Sequence, residues 1–170
     1  MPADQVVELY NLLHSHGIKI WVDGGWGVDA LLEKQTREHR DLDIAVQKKD
    51  LAVMKKLLGA RGYRDKGEPH ARPWNFIMED QSGHEVDVHV ITLDDAGNGI
   101  YGPAETGIAY PASSLAGRGV IAGRFVQCIS PEDMVKFHSG YELDENDFHD
   151  VLALCEKFGL EVPEEYRTGA

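Results

Sequence analysis

The strongest constraint on the fold of this chain is a pair of segments in which acidic and apolar residues alternate. Asp41 and Asp43 alternate with apolar residues in segment 40–46, and Asp87 does so in segment 85–91. A period of two is typical of a β-strand with one buried face, so the acids of each strand share the other face. The sequence therefore predicts two strands that carry three carboxylates on neighbouring faces.

Carboxylates at this spacing repel one another unless a cation lies among them. Hard oxygen ligands suit Mg²⁺, which keeps several waters and bridges a few carboxylates to substrate phosphates. For Asp41 and Asp43 alone, a solvated strand face is an equal alternative. Asp87 is harder to explain in that way, because an unpaired acid in an otherwise apolar strand is costly. The joint pattern favours a magnesium site.

A glycine pair follows the first predicted strand, at residues 18–22, and precedes a short predicted helix at 28–33. Because Gly24 and Gly25 lack side chains, backbone N–H groups there can approach an anion, helped by the N-terminus of the next helix. A simple turn is the alternative. A phosphate-holding turn beside a carboxylate metal site is the combination that phosphoryl or nucleotidyl transfer requires.

The other periodic segments predict a mixed sheet flanked by helices. We expect helices at 4–16, 51–60 (capped by Asp50), 131–141 and 147–158, further strands at 74–78, a hairpin at 119–128, and a long loop at 92–119. This order indicates an α+β protein. We expect a catalytic domain over residues 1–128 and a short C-terminal helical segment over 129–170 packed on it.

The charge distribution excludes one class of partner. The 170 residues contain 17 Lys and Arg against 29 Asp and Glu, a net charge of −12. Residues 91–170 hold 5 basic and 14 acidic residues, so most of the excess lies there. Such a field repels a nucleic-acid polymer and attracts cations. With no apolar run approaching ~18 residues and only two cysteines, we expect a soluble, cytoplasmic protein without membrane contact or a disulfide framework.

Several motifs resemble a known superfamily. Gly24-Gly25-Trp26, then Asp41-x-Asp43 and the third strand Asp87, is similar to the polymerase-beta-like nucleotidyltransferase superfamily. Within that superfamily, four segments resemble the small lincosamide nucleotidyltransferases. They are WVDGGWGVD at 21–29, REHRDLDI at 37–44, VDVH at 86–89 and FHSGY at 137–141. The related aminoglycoside 2″-nucleotidyltransferases share much of this pattern, including a piece like GVIAGR at 119–124.

The resemblance implies that a drug hydroxyl attacks the α-phosphorus of a nucleoside triphosphate and that pyrophosphate leaves. Asp41 and Asp43 would hold the nucleotide-bound Mg²⁺, and Asp87 would complete a second metal site and accept the hydroxyl proton. Two cations of this kind neutralise the polyanion that an acidic protein would otherwise repel. The expected cofactor is therefore Mg²⁺, with two ions.

The resemblance also implies binding residues. Gly24 and Gly25 would cradle the β- and γ-phosphates, and Arg37 or Arg40 would neutralise them. A surface salt bridge is the alternative for either arginine.

Expected drug-binding residues are His89, His138, Tyr141 and Glu142. His89 shares the strand face of Asp87, although a buried, hydrogen-bonded histidine would fit the same pattern. An acidic rim for a cationic drug is predicted where the last two helices join, with a solvated helix junction as the alternative. Its members are Glu142, Asp144, Glu145, Asp147 and Asp150.

The predicted partners are thus a nucleoside triphosphate and a cationic antibiotic, a lincosamide first and an aminoglycoside second. A third possibility is a non-catalytic or protein-directed relative, such as an antitoxin-like partner that binds or nucleotidylates another protein. The intact set of three aspartates argues against loss of catalysis. The resemblance further implies a homodimer, because a second subunit would close an open cleft.

Overall fold

A computed structural model describes residues 1–167 of the chain. Within this range a mixed sheet is flanked by helices, which confirms the predicted fold class. The helices are α1 Ala3–Ser15, α2 Gly24–Leu32, α3 Leu51–Ala60, α4 Pro131–Phe137 and α5 Glu145–Phe158. The strands are β1 Ile20–Asp23, β2 Asp41–Gln47, β3 Arg64–Asp65, β4 Asn75–Glu79, β5 Glu85–Leu93, β6 Gly99–Tyr101, β7 Ala109–Tyr110, β8 Gly117–Ile121 and β9 Arg124–Cys128.

Strand order brings the acidic faces together at the centre of the sheet. The order is β3-β4-β5-β2-β1-β9-β8, with β6 on β5 and β7 on β6. β2 is antiparallel to β1 and parallel to β5. In this register Asp43 lies opposite Asp23 on one side and opposite Asp87 on the other. Three aspartates therefore form a row across β1, β2 and β5.

The core lies around the central strands. All four residues of β1 are buried, as expected for a strand covered on both faces. α1 contacts α3, while α2 contacts α4 and α5 and also packs on β8. Cys128 and Cys155 are buried and free. None of the helices within residues 1–167 combines the length and the hydrophobicity that a membrane crossing requires.

The first glycine-rich segment is helical, contrary to the prediction of a turn that precedes a helix at 28–33. α2 starts at Gly24, because Asp23 caps the helix: the Gly24 N–H donates to Asp23 Oδ1 (2.9 Å). Gly24 adopts a φ of +54°, in the left-handed region that glycine tolerates. The glycine pair thus forms the first turn of the helix rather than a separate loop.

Other boundaries also differ from the prediction. Asp50 occupies the N-cap position of α3, as predicted, but the Asp50 side chain makes no capping bond. A 3₁₀ turn over Lys48–Asp50 leads into the helix. α5 starts at Glu145, two residues earlier than expected, because Asp144 and Asp147 form a reciprocal capping box.

α4 ends at Phe137 rather than at residue 141. His138 takes a non-helical conformation and its Nδ1 approaches the Met134 carbonyl (2.8 Å). His138 and Tyr141 therefore lie in the connection between α4 and α5, and not on a helix.

The predicted long loop at 92–119 is wrong in part. β5 continues to Leu93, and β6, β7 and the start of β8 form within the segment. The reversal depends on Asp94, whose Oδ1 accepts from the N–H groups of Ala96 (2.9 Å) and Asn98 (2.8 Å). The predicted hairpin at 119–128 is confirmed, with positive φ angles at Ala122 and Gly123.

The packing of β8 on α2 generates a stability prediction. A Cβ at Gly119 would overlap the backbone carbonyl of Ala30, whereas a Cβ at Gly59 in α3 meets no atom nearer than 3.6 Å. We expect Gly119→Ala to lower the free energy of unfolding by about 1–3 kcal/mol through overpacking. Gly59→Ala, the matched control, should raise it by about 0.5–1 kcal/mol through helix propensity. Urea denaturation measures both; equal midpoints for the two variants would contradict the packing.

Candidate active site

A cleft with a volume of about 450 Å³ opens beside the row of aspartates. Side chains from β1, β2 and β5 form its polar wall, and Tyr101, Tyr110, Phe137 and Tyr141 form its aromatic wall. Its lining residues are Asp23, Gly24, Asp43, Asp87, His89, Tyr101, Ile108, Ala109, Tyr110, Phe137, His138 and Tyr141. The cleft therefore joins two of the three predicted carboxylates, Asp43 and Asp87, to the first glycine and to segments from the C-terminal half; Asp41 does not line it.

The polar wall has the composition of a cation site. One ligand atom from each of Asp43, Asp87 and His89 lies within 4.8 Å of the others. Burial raises the pKa of Asp43 above its ordinary value, and the negative charge of Asp41 raises it further. A carboxylate in this position is stabilised as an anion when a cation binds, so the oxygens of Asp43 and Asp87 fit Mg²⁺, whereas the imidazole of His89 is not a hard oxygen ligand. Asp41 lies two residues along β2, outside the group of three.

Asp87 is held in a defined orientation. The Asn75 side-chain amide on the neighbouring strand β4 donates to Asp87 Oδ1 (3.0 Å). His89 Nε2 lies 3.6 Å from the same oxygen. These contacts occupy Oδ1, and Oδ2 makes no hydrogen bond to the residues that the structure describes. Asp87 is thus positioned to use one oxygen for a ligand or a proton.

His89 connects Asp87 to the start of α2 through a tyrosine. The Tyr110 hydroxyl donates to Asp23 Oδ2 (3.1 Å), and His89 Nδ1 lies 2.9 Å from the same phenolic oxygen. Because the phenol has one hydrogen, His89 Nδ1 must donate to it, which leaves Nε2 facing Asp87. Burial lowers the pKa of His89, but the contact with Asp87 and the nearby Asp23 raise it above its usual value overall.

The glycine pair allows two close approaches. A Cβ at Gly24 would collide with the Asp43 carboxylate. A Cβ at Gly25 would lie 2.5 Å from both Arg37 Nη2 and His39 Nδ1. Side chains at these positions would displace the Asp43 carboxylate or the basic groups. The two glycines are therefore required where β1 leads into α2, whose first N–H groups lack intrahelical partners.

The two predicted arginines differ in surroundings. Arg37 lies against Gly25 and is bound to the buried Asp150 of α5, with Nη2 2.7 Å from Oδ2. Arg40 is exposed and pairs with Glu85 (3.0 Å), which fits the salt-bridge alternative. Neither arginine is among the residues that line the cleft, and neither is Gly25. Of the two, only Arg37 lies at the N-terminus of α2.

Of the site residues predicted in the C-terminal half, some line the cleft and others do not. His138 and Tyr141 line the cleft, and the Tyr141 hydroxyl donates to Asp147 (2.9 Å). Glu142 is exposed and does not line the cleft. The predicted acidic rim needs correction: Asp150 is buried in its ion pair with Arg37, and Asp144 and Asp147 cap α5. These acids stabilise the fold, as the helix-junction alternative implied.

Sequence reasoning missed Asn75, which binds Asp87, and six of the residues that line the cleft: Asp23, Tyr101, Ile108, Ala109, Tyr110 and Phe137. An aspartate between a strand and a glycine pair is a helix-cap signal, which would have identified Asp23. Asn75 could have been found as a polar residue in the predicted strand at 74–78. Nothing local distinguishes Tyr101 and Tyr110, which come from the segment predicted as a loop.

Comparison with known proteins supports the same assignment. The family model described as aminoglycoside-2″-adenylyltransferase matches residues 5–154. A lincosamide resistance protein of Staphylococcus haemolyticus is 34% identical over 146 residues, which cover 86% of this chain and 89% of that protein. A 2″-aminoglycoside nucleotidyltransferase of Klebsiella pneumoniae is 28% identical and covers 79% of this chain and 73% of that protein.

Solved structures have the same fold. The lincomycin-bound crystal structure of the lincosamide antibiotic adenylyltransferase LnuA matches with a TM-score of 0.80 and 31% identity, covering 91% of this chain and 96% of that chain. ANT(2″)-Ia in complex with adenylyl-2″-tobramycin matches with a TM-score of 0.75 over 97% of this chain and 94% of that chain; its 23% identity shows the fold alone. The resemblance to antibiotic-modifying nucleotidyltransferases is therefore confirmed, and the chain belongs to the aminoglycoside-2″-adenylyltransferase family.

Proposed function

We propose that this protein transfers a nucleoside monophosphate from a nucleoside triphosphate to a hydroxyl of a lincosamide antibiotic, with release of pyrophosphate and loss of the drug's activity. The observation that carries the proposal is the convergence of Asp43, Asp87 and His89 in a cleft that also contains the start of α2. A cation site beside a helix N-terminus suits a reaction on a polyphosphate.

The metal-binding residues in this proposal are Asp43 and Asp87, with Asp41 as a further ligand and with two Mg²⁺ ions in the complete site. Bound Mg²⁺ supplies positive charge that stabilises the phosphate oxygens during transfer and acidifies the acceptor hydroxyl. The raised pKa of Asp43 supports this proposal, because burial and, after it, the neighbouring acids make an uncompensated anion unfavourable there.

The protein's own residues bind the phosphates, orient Asp87 and deprotonate the acceptor hydroxyl. The N–H group of Gly25, with Arg37 beside it, binds the terminal phosphates. Gly24 contributes through its missing side chain, because its own N–H donates to Asp23 Oδ1. Asp87 accepts the proton of the acceptor hydroxyl while the new oxygen–phosphorus bond forms and the bond to pyrophosphate breaks. Asn75 holds Asp87 Oδ1, so Oδ2 is the oxygen available for that proton.

The aromatic wall favours a lincosamide over an aminoglycoside as the acceptor. Four aromatic rings line it, and adjacent ring centroids lie 5–6 Å apart in the pairs Tyr101–Tyr110 (6.2 Å) and Tyr110–Phe137 (5.3 Å). Such a surface suits a ligand with an alkyl-bearing face. An aminoglycoside is polyhydroxylated and polycationic and would leave this wall poorly matched. The S. haemolyticus relative is named for lincosamide resistance, which agrees.

An aminoglycoside remains the second candidate, because the family model and the K. pneumoniae relative carry that name. A protein acceptor is the third candidate. A homodimer in the cytoplasm completes the proposal, and sedimentation as a monomer at micromolar concentration would contradict the dimer.

The proposed reaction predicts a product of defined mass. Incubation of the protein with ATP or GTP, Mg²⁺ and lincomycin should give lincomycin plus one nucleoside monophosphate, detected by mass spectrometry. Parallel reactions with tobramycin and without drug are the controls. An adduct with tobramycin alone would establish the aminoglycoside alternative, and no adduct with any drug despite nucleotide binding would refute transfer to an antibiotic.

Asp87→Asn tests the proposed base. The amide cannot accept the proton, so we expect turnover to fall at least about 100-fold, with the fold and nucleotide binding largely retained. Asp95→Asn, the same change in an exposed turn, is the matched control and should leave turnover unchanged. Turnover of Asp87→Asn near the wild-type rate would show that another group takes the proton.

A further inference from the structure

An ion pair links the C-terminal helix to the start of α2. Asp150 of α5 is 1% exposed, and Arg37 meets it edge to edge: Nε donates to Oδ1 (3.1 Å) and Nη2 donates to Oδ2 (2.7 Å). His149 Nδ1 lies 2.9 Å from the same Oδ1. Two parallel hydrogen bonds fix the plane of the guanidinium as well as its position. A buried carboxylate thus determines the orientation of Arg37.

The orientation leaves donors free at the glycine pair. A guanidinium has five N–H groups; one from Nε and one from Nη2 bind Asp150, and one from Nη1 reaches the Glu38 carbonyl (3.3 Å). The two that remain belong to Nη1 and Nη2. Nη2 is the atom that a Cβ at Gly25 would meet at 2.5 Å. Free donors of Arg37 therefore lie beside the N-terminus of α2.

A second basic side chain is arranged in the same manner. His39 Nδ1 is also 2.5 Å from the Cβ position of Gly25, and its Nε2 binds the buried Asp29 of α2. Arg37 and His39 thus approach one glycine from the same loop, each bound on its far side by a buried acid. Because Arg37 and His39 are held in the same way, we infer that Asp150 and Asp29 together determine how these two side chains approach Gly25.

We propose that Asp150 is a positioning residue of the nucleotide site: it holds Arg37 against Gly25 so that the free guanidinium donors face the terminal phosphates. This inference rests on the proposed function. It assigns α5 a part in binding nucleotide, whereas the sequence suggested only a role in attracting the drug.

Electrostatics and positioning predict opposite effects of Asp150→Asn. Removal of a negative charge near a triphosphate would, by itself, tighten nucleotide binding. Loss of the ionic fork lets the guanidinium leave its place, which weakens binding. We expect weakening of at least about fivefold, since hydrogen bonds to charged groups are among the strong ones. Glu156→Gln, an exposed residue on the same helix, makes the same charge change and should not weaken binding.

The measurement is isothermal titration of the full chain with α,β-methylene-ATP or α,β-methylene-GTP and Mg²⁺, with lincomycin affinity measured in parallel. Asp150→Asn should raise the Kd of the nucleotide analogue and leave that of lincomycin unchanged. In a background of Arg37→Gln, the same substitution should not weaken binding further, because its weakening effect passes through Arg37. Unchanged or tighter analogue binding by Asp150→Asn would overturn the proposal.

Arg37→Lys provides a second route if Asp150→Asn does not fold, as thermal melting would reveal. A lysine keeps the charge, but its single ammonium cannot form the fork and reach a phosphate together. It should raise the KM for nucleotide at least about fivefold with kcat little changed, and a wild-type KM would overturn the proposal. If the wild-type chain itself binds neither analogue and modifies no acceptor, the proposed function fails instead.

Discussion

Repulsion within a row of carboxylates is the constraint on which the site depends. Asp23, Asp43 and Asp87 occupy opposed positions on three adjacent strands, where like charges destabilise a sheet. Two of them are compensated by the protein: Asp23 caps α2 and accepts from Tyr110, and Asp87 accepts from Asn75. Asp43, in the middle, has the raised pKa. The negative charge that the protein leaves uncompensated, and that a cation would balance, therefore lies at Asp43.

The surroundings of that row come from distant parts of the chain. β7 contributes Tyr110, which bridges Asp23 and His89. The connection after α4 contributes His138 and Tyr141 to the lining of the cleft. α5 contributes Asp150, which is almost fully buried and binds Arg37 instead of facing solvent. The strong acidity of the C-terminal half is thus divided between helix capping, a buried ion pair and exposed surface.

Much of the fold could be predicted because it depends on local periodicity. Alternation in β2 and β5 and the spacing in α1 identified these elements, and the glycine pair was correctly placed after β1. Boundaries failed where a single side chain decides them. The Asp23 cap lets α2 begin before the predicted residue 28. The Asp94 side chain stabilises a reversal, so strands pair where a loop was predicted. The roles expected for Arg40 and Glu142 stay predictions that their exposed positions do not support.

The sequence by itself determined which residues share a strand face and where the glycine pair stands, and it predicted that Asp41, Asp43 and Asp87 would hold a cation. Only the tertiary structure decided that Asp23 joins the row, that His89 meets Tyr110, and that Arg37 binds an acid 113 residues away. The physical reason is the range of the interactions. A strand's periodicity is local, whereas cross-strand register and buried ion pairs form only when the whole chain has packed.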